Sequence, residues 1–169
     1  KNFLNTNHIQ GYIESKIKLG LFYENTLISV MVFKKLKKSL EIKNIKDSYE
    51  ILRHCDILNT DIIGGSSKLF EYFIKNYDPI HVISYADRSN SNGELYYNLK
   101  FDFLNETVPN YYYVIDGIRQ NKFNFKKNIL IKQGFDSNKS EHEIMLERGY
   151  YRIYDSGNLK FIFNNYILW

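Results

Sequence analysis

Apolar positions along the chain fall into short blocks divided by polar turns, and their spacing predicts most of the secondary structure. "FLNTNHIQGYI" reads as a short helix ending near Gly11. "IKLGLFYENTLISVMVFKK" contains two apolar strands around Glu24-Asn25-Thr26, a hairpin, and "SYEILRHCDIL" is a third strand. From Ser66 onward the apolar residues are Leu69, Phe70, Phe73, Ile74 and Tyr77, the spacing of one helical face. "PIHVISYA" is a continuous apolar run of strand length, the pattern of a strand buried on both faces. "SNGELYYNLKF" places Leu95, Tyr96 and Leu99 on one face of a further helix. "FDFL" and "NYYYVID" are strands around Pro109. The tail predicts a short helix, "EHEIMLERG", and a hairpin, "YYRIYDSGNLKFIF", turning at Asp155 to Asn158. This order of elements predicts an α/β (α+β) domain with helices packed on a mixed sheet.

Composition narrows the class. At 169 residues and 44% apolar content, the chain is long enough for one substantial core, and no repeat or Pro/Gly-rich linker divides it. Residues 1–169 are therefore expected to form a single domain. The longest apolar run, "LISVMVF", is far short of the roughly 20 residues that span a bilayer. A lone cysteine, Cys55, excludes an intramolecular disulfide and fits a reducing compartment. The formal charge of +4 permits contact with nucleic acid without demanding it. The chain opens on Lys1, so an upstream domain is one expectation.

Several stretches carry candidate chemistry. In "DIIGGSSKLFEYFI", Gly64, Gly65, Ser66, Ser67 and Lys68 run from a turn into a helix start, where unpaired backbone N–H groups meet a positive dipole end. That geometry can bind a phosphorylated ligand, or Ser66 or Ser67 can simply cap the helix. Asp87 and Arg88 stand just past the end of a buried strand, where ligands bind in open α/β sheets. Arg88 can clamp an anion and Asp87 can act as a base, or the pair can belong to an ordinary capped turn. His8 is a candidate base; no histidine, cysteine and acid cluster has metal-ligand spacing. Lys34, Lys35, Lys37 and Lys38 form one basic stretch and Lys122, Lys126 and Lys127 another, and the tyrosines around Tyr112 lie near Arg119. These suit a phosphate backbone and an unpaired base, or a solvated surface.

The run of hairpin, strand, Gly-loop with helix, strand and "LYYNLKF" helix resembles the GNAT acyltransferase superfamily. The resemblance implies a mixed, mostly antiparallel sheet with helices on both faces, and an acyl-coenzyme A cofactor such as acetyl-CoA. In that family a Gln/Arg-x-x-Gly-x-Gly/Ala loop holds the cofactor's pyrophosphate. Gly64 matches the first glycine, Ser66 stands at the second Gly/Ala position, and Asp61 at the Gln/Arg position. Tyr96 matches the tyrosine that protonates the departing thiolate, and Lys100 stands where that motif has glycine. "SYADRSNSNGELYYNLKF" and its flanking blocks are also similar to GNAT-like modules of phage homing-type endonucleases and to Mom-type DNA modification proteins. That likeness implies a transferase-type domain acting on DNA in the cytoplasm of an infected host. It implies, as alternatives, a non-catalytic DNA-binding module fused to a nuclease or an N-acetyltransferase of a small amine or protein.

Overall fold

The computed structural model describes residues 1–37 and 47–165. Its contacts divide the chain into two compact units, residues 1–106 with 159 onward, and Thr107–Asn158. The first unit is built on a six-stranded sheet. Its strands are β1 (Ile17–Tyr23), β2 (Thr26–Lys35), β3 (Ser48–Asp56), β4 (His81–Asp87), β5 (Asp102–Glu106) and β9 (Asn158–Asn164), in the spatial order β1-β2-β3-β4-β9-β5. β1/β2, β2/β3 and β5/β9 pair antiparallel, and β3/β4 pair in parallel. Glu24 and Asn25 both take positive φ at the β1–β2 turn, the two-residue geometry that matches strand twist.

Two helices cover one face of this sheet, α2 (Gly65–Tyr77) and α3 (Glu94–Asn98). Their apolar residues pack on Met31, Phe33, Tyr49, Ile51, Val82 and Phe161. Phe73 is fully buried and lies flat on Phe33, ring centroids 3.7 Å apart, with the Tyr49 ring edge-on at 5.2 Å. Burying a side chain of this size contributes on the order of 1.5–3 kcal/mol. The other face is covered by α1 (Asn2–Asn7), whose Leu4 packs on Val30 and Val32.

The second unit carries β6 (Tyr111–Ile115), β7 (Ile118–Asn121) and β8 (Arg152–Tyr154) in the antiparallel order β7-β6-β8. A 3-10 turn (Lys122–Phe125), α4 (Lys127–Lys132) and α5 (Glu141–Glu147) complete it. Its core is Tyr113, Leu130, Ile144 and Met145. Glu141 at the start of α5 accepts hydrogen bonds from the Tyr111 and Tyr113 hydroxyls at 3.0 and 2.8 Å, and Arg152 lies 3.5 Å from it. One carboxylate thereby ties β6, β8 and α5 together. Ser140 and Glu143 form a reciprocal capping box at the same helix end. Among the described residues, no helix is long and apolar enough to cross a membrane.

Most predicted elements are present, but the terminal hairpin is not. β8 pairs with β6 in the small sheet, while β9 joins the large one, so the two strands do not pair with each other. Asp155 to Gly157 carry the chain between sheets instead. The Asp155 carboxylate accepts from the Asn110 and Gly157 amides, and Gly157 sits at φ +72° with no room for a Cβ against the Thr107 carbonyl. A short Asp-Ser-Gly link serves a hairpin or a crossover equally well, so the local signal misleads. β7, the 3-10 turn and α4 also went unpredicted, because their apolar residues are too few to set a period.

Lys100 closes α3 in the left-handed region, φ +64°, with its amide donating to Tyr97 O and the Phe101 amide to Tyr96 O. This is a backbone conformation that glycine adopts without strain. Lys100→Gly is therefore expected to raise stability by up to about 1 kcal/mol, read as a higher urea midpoint. A lowered midpoint would show that the turn carries no such strain.

Candidate functional site

β3 and β4 run parallel but stay paired only briefly, Ser48 with His81, Tyr49 with Val82 and Glu50 with Ile83. β3 continues to Asp56 and β4 to Asp87. Past Glu50 and Ile83 the facing edges carry no backbone ladder. Side chains occupy the vertex. Ser84 Oγ lies 3.3 Å from the Ile51 carbonyl and 2.8 Å from Tyr96 Oη, which is also 3.4 Å from the Tyr85 carbonyl. Burial raises the Tyr96 phenol above its ordinary 10, against a weaker opposing effect of the Ser84 hydrogen bond. Tyr96 thus keeps its proton throughout the physiological range and can serve as an acid, not as a base.

β3 leads into α2 through the loop of residues 57–64. Gly64 is the N-cap, at φ +73°, and no side chain caps the helix. Ser66 and Ser67 lie within the first turn rather than at the cap, so the capping reading of these serines does not hold. The geometry has a steric cause. A Cβ on Gly65 would sit 2.6 Å from Ile62 Cγ2, so only glycine lets the helix start this close to the loop, while a Cβ on Gly64 would meet open space. Lys68, exposed, donates its amide to Gly64 O. The start of α2 therefore offers backbone donors and a positive dipole end with free space before it.

On the same side, a groove of roughly 410 Å³ runs between α2 and the end of α3. Its floor is Phe70, Ile74, Leu99 and Phe163, and Ser67, Glu71, Lys75 and Lys100 stand at its rim. Ser67 belongs both to the groove and to the helix start.

The remaining sequence candidates are distributed as follows. Asp87 caps the turn that follows β4, accepting from the Ser89 amide at 2.9 Å and from Asn90 Nδ2 at 3.2 Å. Arg88 pairs with Glu106 at 2.8 Å. His8 closes α1, with Nδ1 accepting from the Gln10 amide at 3.0 Å; the Leu4 face of that helix packs on the side of the sheet opposite Tyr96. The structure thus places Tyr96 against Ser84 and the Tyr85 carbonyl, with His8 on the helix that covers the other face of the sheet. Lys34 and Lys35 are held by Glu50 and Asp47 at 3.4 and 2.9 Å, and Lys37 is exposed. Lys38 lies outside the described residues. Tyr112, Arg119 and Lys122 belong to the second unit. No group of three potential metal ligands occurs among the described residues.

Two residues were missed. His54 and Asp56 lie on the unpaired half of β3, opposite Met31 and Ser29 of β2, so both share the face on which α2 packs. His54 Nε2 is 3.4 Å from Ser29 Oγ and 3.7 Å from Asp56 Oδ1, an oxygen that is buried without a hydrogen-bond partner among the described residues. Burial lowers the His54 pKa below its ordinary 6.5, against the opposing pull of Asp56. The imidazole is neutral at pH 7 and able to accept a proton. The signal for this pair was "RHCD", in which polar residues recur at i and i+2 on an otherwise apolar strand face. Cys55 between them points to the opposite face, and burial pushes its thiol up to about 11, so it is unreactive at neutral pH.

His54 titrates lower in the folded protein than in the unfolded chain, so its contribution to stability is intact above pH 6.5 and lost as pH falls toward the folded value. His8, also lowered, chiefly by burial and then by Arg53, has the same sign. The thermal midpoint is expected to fall between about pH 7.5 and 5.5, and His54→Gln to shrink that fall. An identical pH profile in the variant would place the acid sensitivity elsewhere.

No family model matches the chain, and no curated protein matches it. Solved structures do. An N-acetyltransferase from Escherichia coli that acts on a ribosomal-protein alanine superimposes with a TM-score of 0.55 at 10% identity, over 96% of this chain and 83% of its own. A Bacillus subtilis acetyltransferase, in complex with CoA, gives 0.54 at 12% identity over 98% and 90%. At such identities the shared property is the fold: a mixed, mostly antiparallel sheet with helices, as in the GNAT N-acetyltransferases.

Proposed function

We propose that this chain is an acyltransferase that takes an acyl-coenzyme A donor and acylates an amine. The observation that carries the reading is the early end of the β3–β4 ladder beside an uncapped helix start, in a fold that N-acetyltransferases share. The residues present fit such a donor. The first-turn amides of Ser66 and Ser67 suit its pyrophosphate, because those of Gly65 and Lys68 are taken up by Ile62 O and Gly64 O and a Cβ on Gly64 would meet open space. The unladdered edges of β3 and β4 offer backbone partners to an extended amide-bearing arm. The groove, with an apolar floor and lysines at its rim, suits a flat base beside a phosphate. When bound, the thioester supplies an activated acyl carbon.

Acyl transfer to an amine requires one proton to leave the amine and one to reach the departing sulfur. Tyr96 holds a proton at Oη at working pH, in the vertex of the opening, and is the acid in this reading. His54, neutral and beside Asp56, is the group able to take the amine's proton. The likeness to phage DNA-modifying proteins is carried forward as one acceptor class, a nucleobase amine, alongside protein and small-molecule amines.

Calorimetry should detect saturable acetyl-CoA binding that survives Gly64→Asn, a residue tolerant of positive φ, and weakens at least roughly tenfold in Gly64→Val, which is not. Absence of binding at millimolar acetyl-CoA would remove the proposal. Free-thiol release should be followed with an oligonucleotide, a peptide and a polyamine as acceptors. With the acceptor that turns over, Tyr96→Phe should lower kcat on the order of a hundredfold while leaving cofactor affinity in place. Full activity in Tyr96→Phe would assign the acid role elsewhere.

A further inference from the structure

The second unit carries a run without acids, "RQNKFNFKK" (residues 119–127), in which cations lie against rings. The Arg119 guanidinium sits 3.6 Å above the Tyr112 ring centroid. Lys122 Nζ is 4.6 Å from the Tyr111 centroid, and Lys126 Nζ is 4.7 Å from that of Phe123. Elsewhere in the unit, Lys139 pairs with Glu147 and Arg152 with Glu141, and Arg148 lies over the Phe135 and Tyr150 rings. Arg119, Lys122 and Lys126 have no ion pair among the described residues, and Arg119 and Lys126 are exposed. Phe123 is held outward at 58% exposure because the Asn121 side chain accepts from its amide and fixes the 3-10 turn.

An exposed phenylalanine between unpaired cations serves no packing purpose within the unit. Its ring is a stacking platform, and Arg119, Lys122 and Lys126 are three cations for phosphates. An acidic protein would use the charges and leave the ring idle. A duplex hides the base faces that the ring would meet. We propose that the 119–127 strip is a binding surface for single-stranded nucleic acid. This is independent of the acyl-donor reading, since the strip shares no residue with the Gly64–Lys68 helix start.

The test uses the whole chain and a fluorescently labelled oligothymidylate, followed by anisotropy. With three phosphate contacts, affinity should fall roughly twentyfold between about 50 and 200 mM salt. Arg119→Gln with Lys126→Gln should weaken binding and flatten the salt slope by about 1.4, two contacts at about 0.7 each. Phe123→Leu, which keeps an apolar side chain but removes the ring, should weaken binding roughly tenfold without changing the slope. All variants should bind acetyl-CoA as the parent chain does, which separates loss of this surface from failure of the acyltransferase reading. The proposal is overturned by absence of binding at the lower salt, by unchanged affinity in Phe123→Leu, or by duplex or polyglutamate binding as tight as the single strand.

Discussion

The parallel pairing of β3 and β4 lasts three residue pairs, and the candidate site depends on its ending there. Parallel strands normally keep their hydrogen bonds for their shared length, because an unpaired buried backbone group is costly. Here the carbonyls just past the last pair are met by side chains, Ile51 by Ser84 and Tyr85 by Tyr96. The ladder can therefore end there with these two carbonyls satisfied. The stacked Phe33–Phe73 pair anchors α2 across the sheet, and Gly65 lets its first turn close on Ile62. These contacts fix where α2 begins and how it lies on the sheet.

Protonation at the opening follows from burial more than from charge pairing. Tyr96 stays protonated because its anion would be desolvated, and His54 stays neutral because its cation would be. One residue is held as a proton donor and the other as an acceptor by the same cause acting on groups of opposite charge type. The Asp56 carboxylate beside His54 opposes that effect only in part.

The second unit enters the chain between two paired edges. β5 and β9 are antiparallel neighbours, with Glu106 opposite Leu159, so a short turn would suffice to join them. The chain instead builds the Thr107–Asn158 unit and clips its two ends, the Thr107 amide to Asn158 O at 2.8 Å and the Asn158 amide to Thr107 Oγ1 at 2.9 Å. A unit whose ends meet can be accommodated at a strand turn without disturbing the sheet. It has its own core around Tyr113, whose hydroxyl donates to Glu141.

Periodicity alone located β1 to β4, α2 and α3, because each buries a continuous face and the pattern survives without knowledge of its partner. The glycine pair at 64 and 65 marked the helix start for the same local reason. Partner choice was beyond local reach. β8 and β9 carry alternating patterns joined by a turn-like link, and only the competing edges of β6, β4 and β5 sent them to different sheets. The roles of Asp87, Arg88 and Lys35 were equally open until their neighbours Asn90, Glu106 and Asp47 were in place. His54 and Asp56 went unnoticed because their meaning comes from the ladder ending beside them. The sequence by itself determined which faces are apolar and where chain direction can change. Tertiary structure decided which strands pair, where pairing stops and which charges find partners, since those depend on residues distant along the chain.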